Sequence, residues 1–331
     1  MPALNVPLAL VDLAAVKAAL DRRLDAIDEG LMDRKVMAIV NGKGGVGKSS
    51  LSSALAVAWA KIGQRVLLIE MDEQGNNCED LGTSNTTLND KGQAQAAAIL
   101  EGKPLTPTGQ ARPNLFIVPG GDELEEVVEE LYCQRRLAKT YEDPDDKTAW
   151  MGMYAAAIDA VRDDYDVIIL DIAPGSEVLQ LAALTAADNI LIPSKSDPSS
   201  RKGLRTVAKR FAIAQQNNPM LCLLGVVLFA TNSSATKVQK NIKDQLTADL
   251  RGAAPVFEQN IRHVEAAAVE ARLRGKVPQE LRSSAELTTG LRKSMKDLAG
   301  DYQSLAIEVM QAMAELRQRD ENEAEEEGTG Q

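Results

Sequence analysis

The fold is decided by ten residues, Asn41 to Ser50, which read NGKGGVGKSS. The segment from Gly42 to Ser49 fits the pattern G-x-x-x-x-G-K-[ST] of a phosphate-binding loop. It follows an apolar run at 36–40 and precedes a helical pattern, which is the context that this motif requires. Glycines let backbone N–H groups turn toward phosphate oxygens, and the next helix adds the positive end of its dipole. The stretch therefore predicts a nucleotide site at the end of a strand.

Each residue of this loop has an expected role. Lys48 is placed to neutralise the β- and γ-phosphates, and the hydroxyl of Ser49 is placed to ligate Mg²⁺. Lys43 is not explained by this chemistry, because a simple phosphate loop needs no lysine at its start. The predicted nucleotide-binding residues of the loop are Gly42, Lys43, Gly44, Gly45, Val46, Gly47, Lys48, Ser49 and Ser50.

Apolar runs alternate with helical patterns through most of the chain. Beyond the run at 36–40, strands are predicted at 65–70, 115–118, 166–171, 189–192 and 223–229. Continuous apolar runs separated by helices indicate a mostly parallel sheet that is covered on both faces. The predicted fold class is α/β: a three-layer P-loop NTPase fold with helices on both faces of the sheet, plus an N-terminal helix. A proline-containing segment, 102–113, is predicted as a surface loop.

The sequence predicts three parts along the chain. Residues 1–34 form an extension in which Asp12 caps a helix that runs to about Glu29 with one apolar stripe. That stripe either packs on the chain's own domain or forms a dimerisation helix, and the sequence leaves both readings open. Residues 35–319 form the P-loop domain, and residues 320–331 form an acidic tail that is predicted to be disordered.

Composition excludes several classes of function. The chain has 331 residues, 44% of them hydrophobic, which is enough to bury a large core. Cys78, Cys133 and Cys222 are far apart and His263 is the single histidine, which disfavours zinc sites, iron–sulfur clusters and histidine-based catalysis. No run of 18 apolar residues and no basic leading segment are found, so a cytoplasmic protein without a membrane partner is expected.

Four segments resemble the ParA/MinD family of deviant Walker A ATPases. Residues 43–49, KGGVGKS, match the family's phosphate loop with its early signature lysine. Residues 65–76, RVLLIEMDEQGN, resemble the second motif, and residues 165–171, YDVIILD, resemble the Walker B strand. Residues 184–193, LTAADNILIP, resemble a further family segment. The order and spacing are those of ParA-type partition ATPases rather than of MinD, and the resemblance covers roughly residues 35–310.

The resemblance implies ATP and Mg²⁺ as cofactors and gives roles to individual residues. Lys43 would be the signature lysine, which in this family reaches across a homodimer interface to the partner's ATP and acts with Lys48 in catalysis. Asp72 would orient or activate the attacking water, and Asp171 would hold Mg²⁺ through water, beside the Ser49 ligand. Asn232 would read the adenine edge, with a simple turn asparagine as the alternative.

Three positions depart from the family pattern. Glu70 stands where the family usually has aspartate, which keeps the charge and lengthens the side chain by one methylene. Glu73 replaces the usual proline and removes its restraint from that turn. The segment 260–262 looks like the family's I-P-R sequence without its proline. These departures put the details of the magnesium and adenine sites in question.

The net charge of −11 hides two basic segments. Residues 195–211 contain six basic residues and one acidic residue, and residues 262–296 contain eight basic and four acidic residues. ParA-type proteins bind DNA without sequence preference as ATP dimers, through basic residues in the C-terminal part. The alternative is a solvated helical face. The predicted DNA-binding residues are Arg262, Arg272, Arg274 and Lys276.

The sequence therefore predicts an ATPase for DNA partition, located in the cytoplasm and on the nucleoid. Its intrinsic hydrolysis is expected to be slow, because no motif supplies an arginine finger in cis, and a ParB-like partner is expected to stimulate it. One alternative is a ParA-like ATPase that positions a cargo other than DNA. A MinD-like membrane-cycling ATPase is disfavoured, because the acidic C-terminal segment would be repelled by an anionic membrane.

Overall fold

The computed structural model describes residues 11–195, 198–232 and 236–329. The first ten residues of the predicted N-terminal extension and the last two of the predicted tail lie outside these ranges. The described residues form an eight-stranded sheet with helices packed on both of its faces.

The sheet is parallel except at one edge. Its strand order is β3-β4-β2-β5-β1-β6-β7-β8, and only the pair β3 and β4 among the described strands runs antiparallel. The strands are β1 Val36–Ile39, β2 Val66–Met71, β3 Gly109–Arg112, β4 Leu115–Val118, β5 Val167–Ile172, β6 Asn189–Ser194, β7 Cys222–Thr231 and β8 Ile261–Arg262.

Twelve α-helices are described, and two short 3-10 helices, Ala149–Gly152 and Arg162–Asp164, accompany them. The α-helices are α1 Leu13–Asp28, α2 Lys48–Lys61, α3 Asn76–Leu81, α4 Gln93–Glu101, α5 Leu124–Ala138, α6 Met153–Asp159, α7 Glu177–Ala186, α8 Pro198–Ala214, α9 Thr236–Leu250, α10 Glu265–Leu273, α11 Pro278–Leu281 and α12 Thr289–Thr329.

The sheet separates two hydrophobic cores. Along β1, Val36 and Ala38 belong to one core, and Met37 and Ile39 belong to the other. Successive side chains of a strand point to opposite faces, so this central strand must be apolar throughout. The core on the side of α2 also receives α12, and the Trp59 indole N–H donates to the carbonyl of Ala306 at 3.0 Å. The predicted three-layer α/β fold is confirmed.

The sequence missed two short strands at the edges of the sheet. β3 lies inside segment 102–113, which was predicted as a loop, and pairs with β4. Its sequence, GQAR, lacks alternating apolar residues, because an edge strand buries little of either face. β8 has only two residues and lies beside β7 at the other edge. Neither strand is long enough to give a periodic signal.

Helix α1 is packed on its own domain. Asp12 caps it by accepting a hydrogen bond from the N–H of Ala14 at 3.0 Å, as predicted. Leu20 is buried against the backbone of Gly152, which leaves no room for a side chain there. The buried guanidinium of Arg23 donates to Asp188 at 3.0 Å. The apolar stripe is thus used within the chain, which favours the first of the two readings left open by the sequence.

Helix α12 continues from the P-loop domain into the predicted tail. It runs to Thr329, so most of the segment 320–331 that was predicted to be disordered is helical. Asp320 is held by Arg34, whose Nε and Nη2 atoms lie 2.5 and 3.2 Å from its carboxylate oxygens. Composition alone misled the prediction, because glutamate and alanine extend a helix that is already formed.

Among the described residues, no helix is both long and apolar enough to cross a membrane.

The ion pair between Arg34 and Asp320 gives a test of this C-terminal anchoring. We expect Asp320→Ala to lower the free energy of unfolding by about 1–2 kcal/mol, because the buried Arg34 guanidinium loses its charged partner. Urea unfolding followed by circular dichroism measures this change. Glu323→Ala is the matched control: its side chain is mostly exposed, and a change below about 0.5 kcal/mol is expected. Equal effects of the two variants would show that Asp320 does not anchor the helix.

Candidate nucleotide site

The glycine-rich loop joins β1 to α2 at the carboxyl edge of the sheet. Gly47 is the N-cap of α2 and has the left-handed conformation, with φ 87° and ψ 22°. A Cβ atom on Gly47 would lie 2.1 Å from the ring of Phe229 at the end of β7. Glycine is therefore required here both for conformation and for space. The contact also places the end of β7 directly beside the loop.

The two lysines of the loop lie in different environments. Lys48, in the first turn of α2, is 7% exposed. Burial lowers the pKa of its ammonium group, while the nearby carboxylates of Asp171 and Asp72 act in the opposite direction. Lys43 is only partly buried, and its backbone N–H donates to the Asn41 side chain at 2.9 Å. One ammonium group of the loop is therefore buried, and the other lysine is partly accessible to solvent.

Two buried carboxyl groups face the loop from neighbouring strands. Glu70 on β2 and Asp171 on β5 are partners in the parallel register. Burial raises the pKa of Asp171 to about 6, against the effects of the nearby Ser49 hydroxyl and the Lys48 ammonium. Burial also raises the pKa of Glu70 well above its ordinary value, and the proximity of Asp171 raises it further. Such a pair is costly to keep ionised without a cation.

The oxygens of these carboxyl groups fit a hard divalent cation. Both Asp171 side-chain oxygens and the Oε2 atom of Glu70 are buried and accept no hydrogen bond in the part of the chain that the structure describes. Oxygen atoms of carboxylates and hydroxyls are the donors that Mg²⁺ prefers. No group of three or more His, Cys, Asp or Glu side chains that could hold a metal occurs among the described residues. The few protein donors match a Mg²⁺ site that is completed by phosphates and water.

Asn77, in the first turn of α3, ties these groups together. Its backbone N–H donates to Oε1 of Glu70 at 2.8 Å, and its side chain donates to the carbonyl of Ser49 at 3.0 Å and to Ser53 at 2.9 Å. Glu70 thus holds the start of α3 at the end of β2, and the Asn77 side chain holds it against α2. The sequence did not single out Asn77; the only signal was its place in the segment that follows the second motif.

Asp72 lies just beyond the end of β2, on the same edge of the sheet as Lys48. It is mostly buried, and its Oδ1 atom accepts the N–H of Gln74 at 3.1 Å. Its backbone carbonyl lies so close to Gly120 that a Cβ there would be 2.1 Å away. The backbone at Asp72 is thereby fixed beside the loop, which is where a group that orients an attacking nucleophile is needed.

Asn232 lies immediately after β7, whose last residues adjoin the phosphate loop through Phe229. It is exposed, and its carbonyl accepts a hydrogen bond from the Gln239 side chain at 2.6 Å. Two residues earlier, Ala230 has a φ of 54°, which is unusual for a residue other than glycine. The contact of Asn232 with a base stays a prediction.

Three of the four predicted DNA-binding residues are ion-paired. Arg262 binds Asp301 through two hydrogen bonds of 2.7 and 2.8 Å. Arg274 lies 2.6 Å from Glu270 and also contacts Glu286. A DNA phosphate would have to replace these carboxylates. The fourth residue, Lys276, is exposed.

The third paired residue, Arg272, reaches back to the nucleotide site. Its Nε atom lies 2.7 Å from the buried carboxylate of Asp80. Burial raises the pKa of Asp80, while Arg272 and the Ser50 hydroxyl oppose this shift through hydrogen bonds. Asp80 therefore connects the loop residue Ser50 to helix α10. The sequence singled out Arg272 for its charge but could not show this internal partner.

The buried carboxyl group of Asp171 gives a stability test. In the folded protein its pKa is about 6, above the unfolded value of about 3.9, so the ionised form opposes folding above pH 6. We expect Asp171→Asn to raise the free energy of unfolding at pH 8 by about 1–3 kcal/mol. The loss of the attraction between Lys48 and the Asp171 carboxylate reduces this gain. This gain should shrink by about 1 kcal/mol at pH 5, where the wild-type group is protonated. Denaturant titrations at the two pH values measure it, and a gain that does not depend on pH would contradict the buried-charge explanation.

Comparison with known proteins agrees with this geometry. The family model described as an AAA domain matches residues 34–223, more than half of the chain. The chain is 30% identical over 242 residues to the chromosome partitioning protein ParA of Caulobacter vibrioides, covering 70% of this chain and 83% of that protein. It is also 30% identical over 201 residues to the sporulation initiation inhibitor protein Soj of Bacillus subtilis, covering 59% and 72%.

A solved structure shows the same fold. Apo McdA from Cyanothece has a TM-score of 0.62 and 18% sequence identity, covering 81% of this chain and 98% of that chain. The phosphate loop with two lysines, the carboxyl groups at the ends of β2 and β5 and the match to ParA and Soj lead to one conclusion. The chain belongs to the ParA-type partition ATPases of the ParA/MinD family.

Proposed function

We propose that this protein is an ATP-driven DNA partition ATPase. ATP binding closes a homodimer, the dimer binds DNA without sequence preference, and a ParB-like partner stimulates hydrolysis and so releases it. The observation that carries the proposal is the pair of lysines in one loop: Lys48 is buried near Asp171, and Lys43 is partly accessible to solvent. Binding the phosphates of the loop's own nucleotide requires only one lysine in this motif, Lys48.

The nucleotide proposal rests on the donors that surround the loop. The N–H groups of the loop and of the first turn of α2 would bind the phosphates, and Lys48 would offset their charge. Ser49 and Asp171 would hold Mg²⁺, the latter through water. When bound, Mg²⁺ supplies a Lewis acid that withdraws charge from the β- and γ-phosphate oxygens. McdA from Cyanothece, which shares this fold, has been solved as a complex with ATP.

The chemical step would depend on the position of Asp72. Its carboxylate would orient the attacking water in line with the γ-phosphorus and accept its hydrogen bond. Gly120 packs against the backbone carbonyl of Asp72, and the N–H of Gln74 donates to its side chain, so both contacts restrain Asp72 beside the loop. Lys48 would stabilise the charge that develops on the phosphate oxygens. Without a further cation, hydrolysis should be slow, which is consistent with stimulation by a partner.

Dimerisation would follow from the charge that ATP brings to the loop. Gly44 and Gly45 are exposed, and a Cβ on Gly45 would meet no atom within 4 Å, so the outside of the loop is open to a second protomer. Two triphosphates at one interface would repel each other strongly in a site of low dielectric constant. A Lys43 side chain from each protomer would offset this repulsion. Dimerisation would then require the nucleotide.

Replacing the two lysines should impair different steps, ATP binding for Lys48 and the dimer-dependent activities for Lys43. Lys48→Ala should weaken ATP binding by about a hundredfold, because the cation beneath the phosphates is lost. Lys43→Ala should leave ATP binding to the monomer within about threefold of the wild type and abolish hydrolysis and ATP-dependent DNA binding. Titration with a fluorescent ATP analogue, a phosphate-release assay and DNA-binding anisotropy measure the three properties.

The control for Lys43→Ala is Lys61→Ala, an exposed lysine at the other end of α2. This variant should behave as the wild type in all three assays. Full hydrolysis and DNA binding by Lys43→Ala would remove the proposed role of the second lysine. Equal DNA binding by the wild type with ATP, with ADP and without nucleotide would contradict the proposal that ATP controls DNA binding.

A further inference from the structure

Helix α8 carries a stripe of exposed basic side chains. Lys202, Arg205 and Lys209 are spaced by three and four residues, so they lie on one face of the helix. The opposite face is buried, with Val207 and Ala214 almost inaccessible to solvent. We call Lys202, Arg205 and Lys209 the α8 stripe.

The α8 stripe differs from the basic residues of the C-terminal region. None of its three side chains forms a hydrogen bond or an ion pair with any side chain that the structure describes. Arg262, by contrast, is bound to Asp301. Cations without carboxylate partners can neutralise an external anion and release its counterions without breaking a contact of the protein. By this criterion the stripe is better suited to a polyanion than the paired arginines are.

The buried side of α8 lies directly against the phosphate loop. A Cβ atom on Gly203 would lie 2.3 Å from Oδ1 of Asn41, and one on Gly42 would lie 3.0 Å from Cβ of Thr206. The same Asn41 side chain accepts the N–H of Lys43 and donates to the carbonyl of Pro193 at 2.8 Å. Any shift in the first half of the loop must therefore move α8 or break this contact, because close-packed groups leave no free volume between them.

The length of the stripe suits duplex DNA. Lys202 and Lys209 are seven residues apart, or about 10 Å along a helix. Duplex DNA carries one negative charge per roughly 1.7 Å of its axis, so this length faces about six phosphates. A dimer would present two stripes on one ligand, which adds the phosphate contacts of both protomers and raises the affinity by effective concentration.

We propose that the α8 stripe is the principal DNA-contacting surface of this protein, and that the nucleotide controls it through the contact of Asn41 and Gly42 with α8. The partner is the phosphate backbone of duplex DNA, read without base specificity. This inference rests on the proposed function and locates its DNA-binding step. It makes the C-terminal candidates Arg262, Arg272 and Arg274 structural residues rather than DNA contacts.

The test uses the full chain, Mg²⁺, a hydrolysis-resistant ATP analogue and a fluorescent duplex of random sequence. The variant Lys202→Ala/Arg205→Ala/Lys209→Ala should bind DNA at least about tenfold more weakly than the wild type. Its slope of log affinity against log salt should fall by about five, since two stripes of three cations are lost from the dimer. Its dimerisation with the analogue should match the wild type.

Two further variants serve as controls. Arg282→Ala/Lys293→Ala/Lys296→Ala removes three exposed positive charges from the C-terminal region and should bind DNA within about threefold of the wild type. Lys202→Arg/Arg205→Lys/Lys209→Arg keeps all three charges and should also bind, because contacts to phosphates need charge rather than a particular side chain.

The outcomes separate this inference from the proposed function. If the wild type fails to bind DNA with the analogue, the proposed function fails. If the wild type binds and the alanine variant of the stripe binds equally, the inference fails. It also fails if that variant cannot dimerise, since the stripe would then belong to the dimer interface. Unchanged DNA binding with loss of partner-stimulated hydrolysis would assign the stripe to an acidic protein partner instead.

Discussion

One buried lysine among buried carboxyl groups is the interaction on which the site depends. Lys48 lies near the carboxylates of Asp171 and Asp72, and Asp171 is the register partner of Glu70 on the neighbouring strand. Burial lowers the pKa of the lysine and raises the pKa of both carboxyl groups, so every charge in this cluster is held at a cost. A magnesium–triphosphate complex would supply a cation for the carboxylates and an anion for the lysine. Ligand binding would thus offset the desolvation free energy of these buried charged groups.

The loop is connected to the rest of the molecule at both of its ends. Its first half touches α8 through Asn41, and its second half touches α3 through Asn77. Within α3, Asp80 joins the Ser50 hydroxyl to Arg272 on α10. The loop is thus linked to α8 and α10 through a few direct side-chain contacts. A change in the loop can therefore reach both α8 and α10, and the exposed basic side chains of α8 pair with no side chain that the structure describes.

The sequence predicts those features that arise from local pattern. Six strands and the phosphate loop follow from apolar runs and from the glycine-rich motif between a strand and a helix. The contacts of Asp80 and Phe229 could not be predicted, because their partners are distant in sequence. The DNA-binding arginines show the same limit: counting charges selects Arg262 but does not reveal the carboxylate that pairs with it. Acidic composition predicts disorder for the last residues of α12, but a helix that is already formed is extended by glutamate and alanine at little cost.

The central claim is that each protomer lends a cation to the nucleotide of the other. The most direct measurement is sedimentation equilibrium of the full chain with Mg²⁺ and a saturating, hydrolysis-resistant ATP analogue. The account predicts the mass of one chain without nucleotide and of two chains with the analogue, and the mass of one chain for Lys43→Ala under both conditions. A wild-type protein that has the mass of one chain while saturated with the analogue would contradict it.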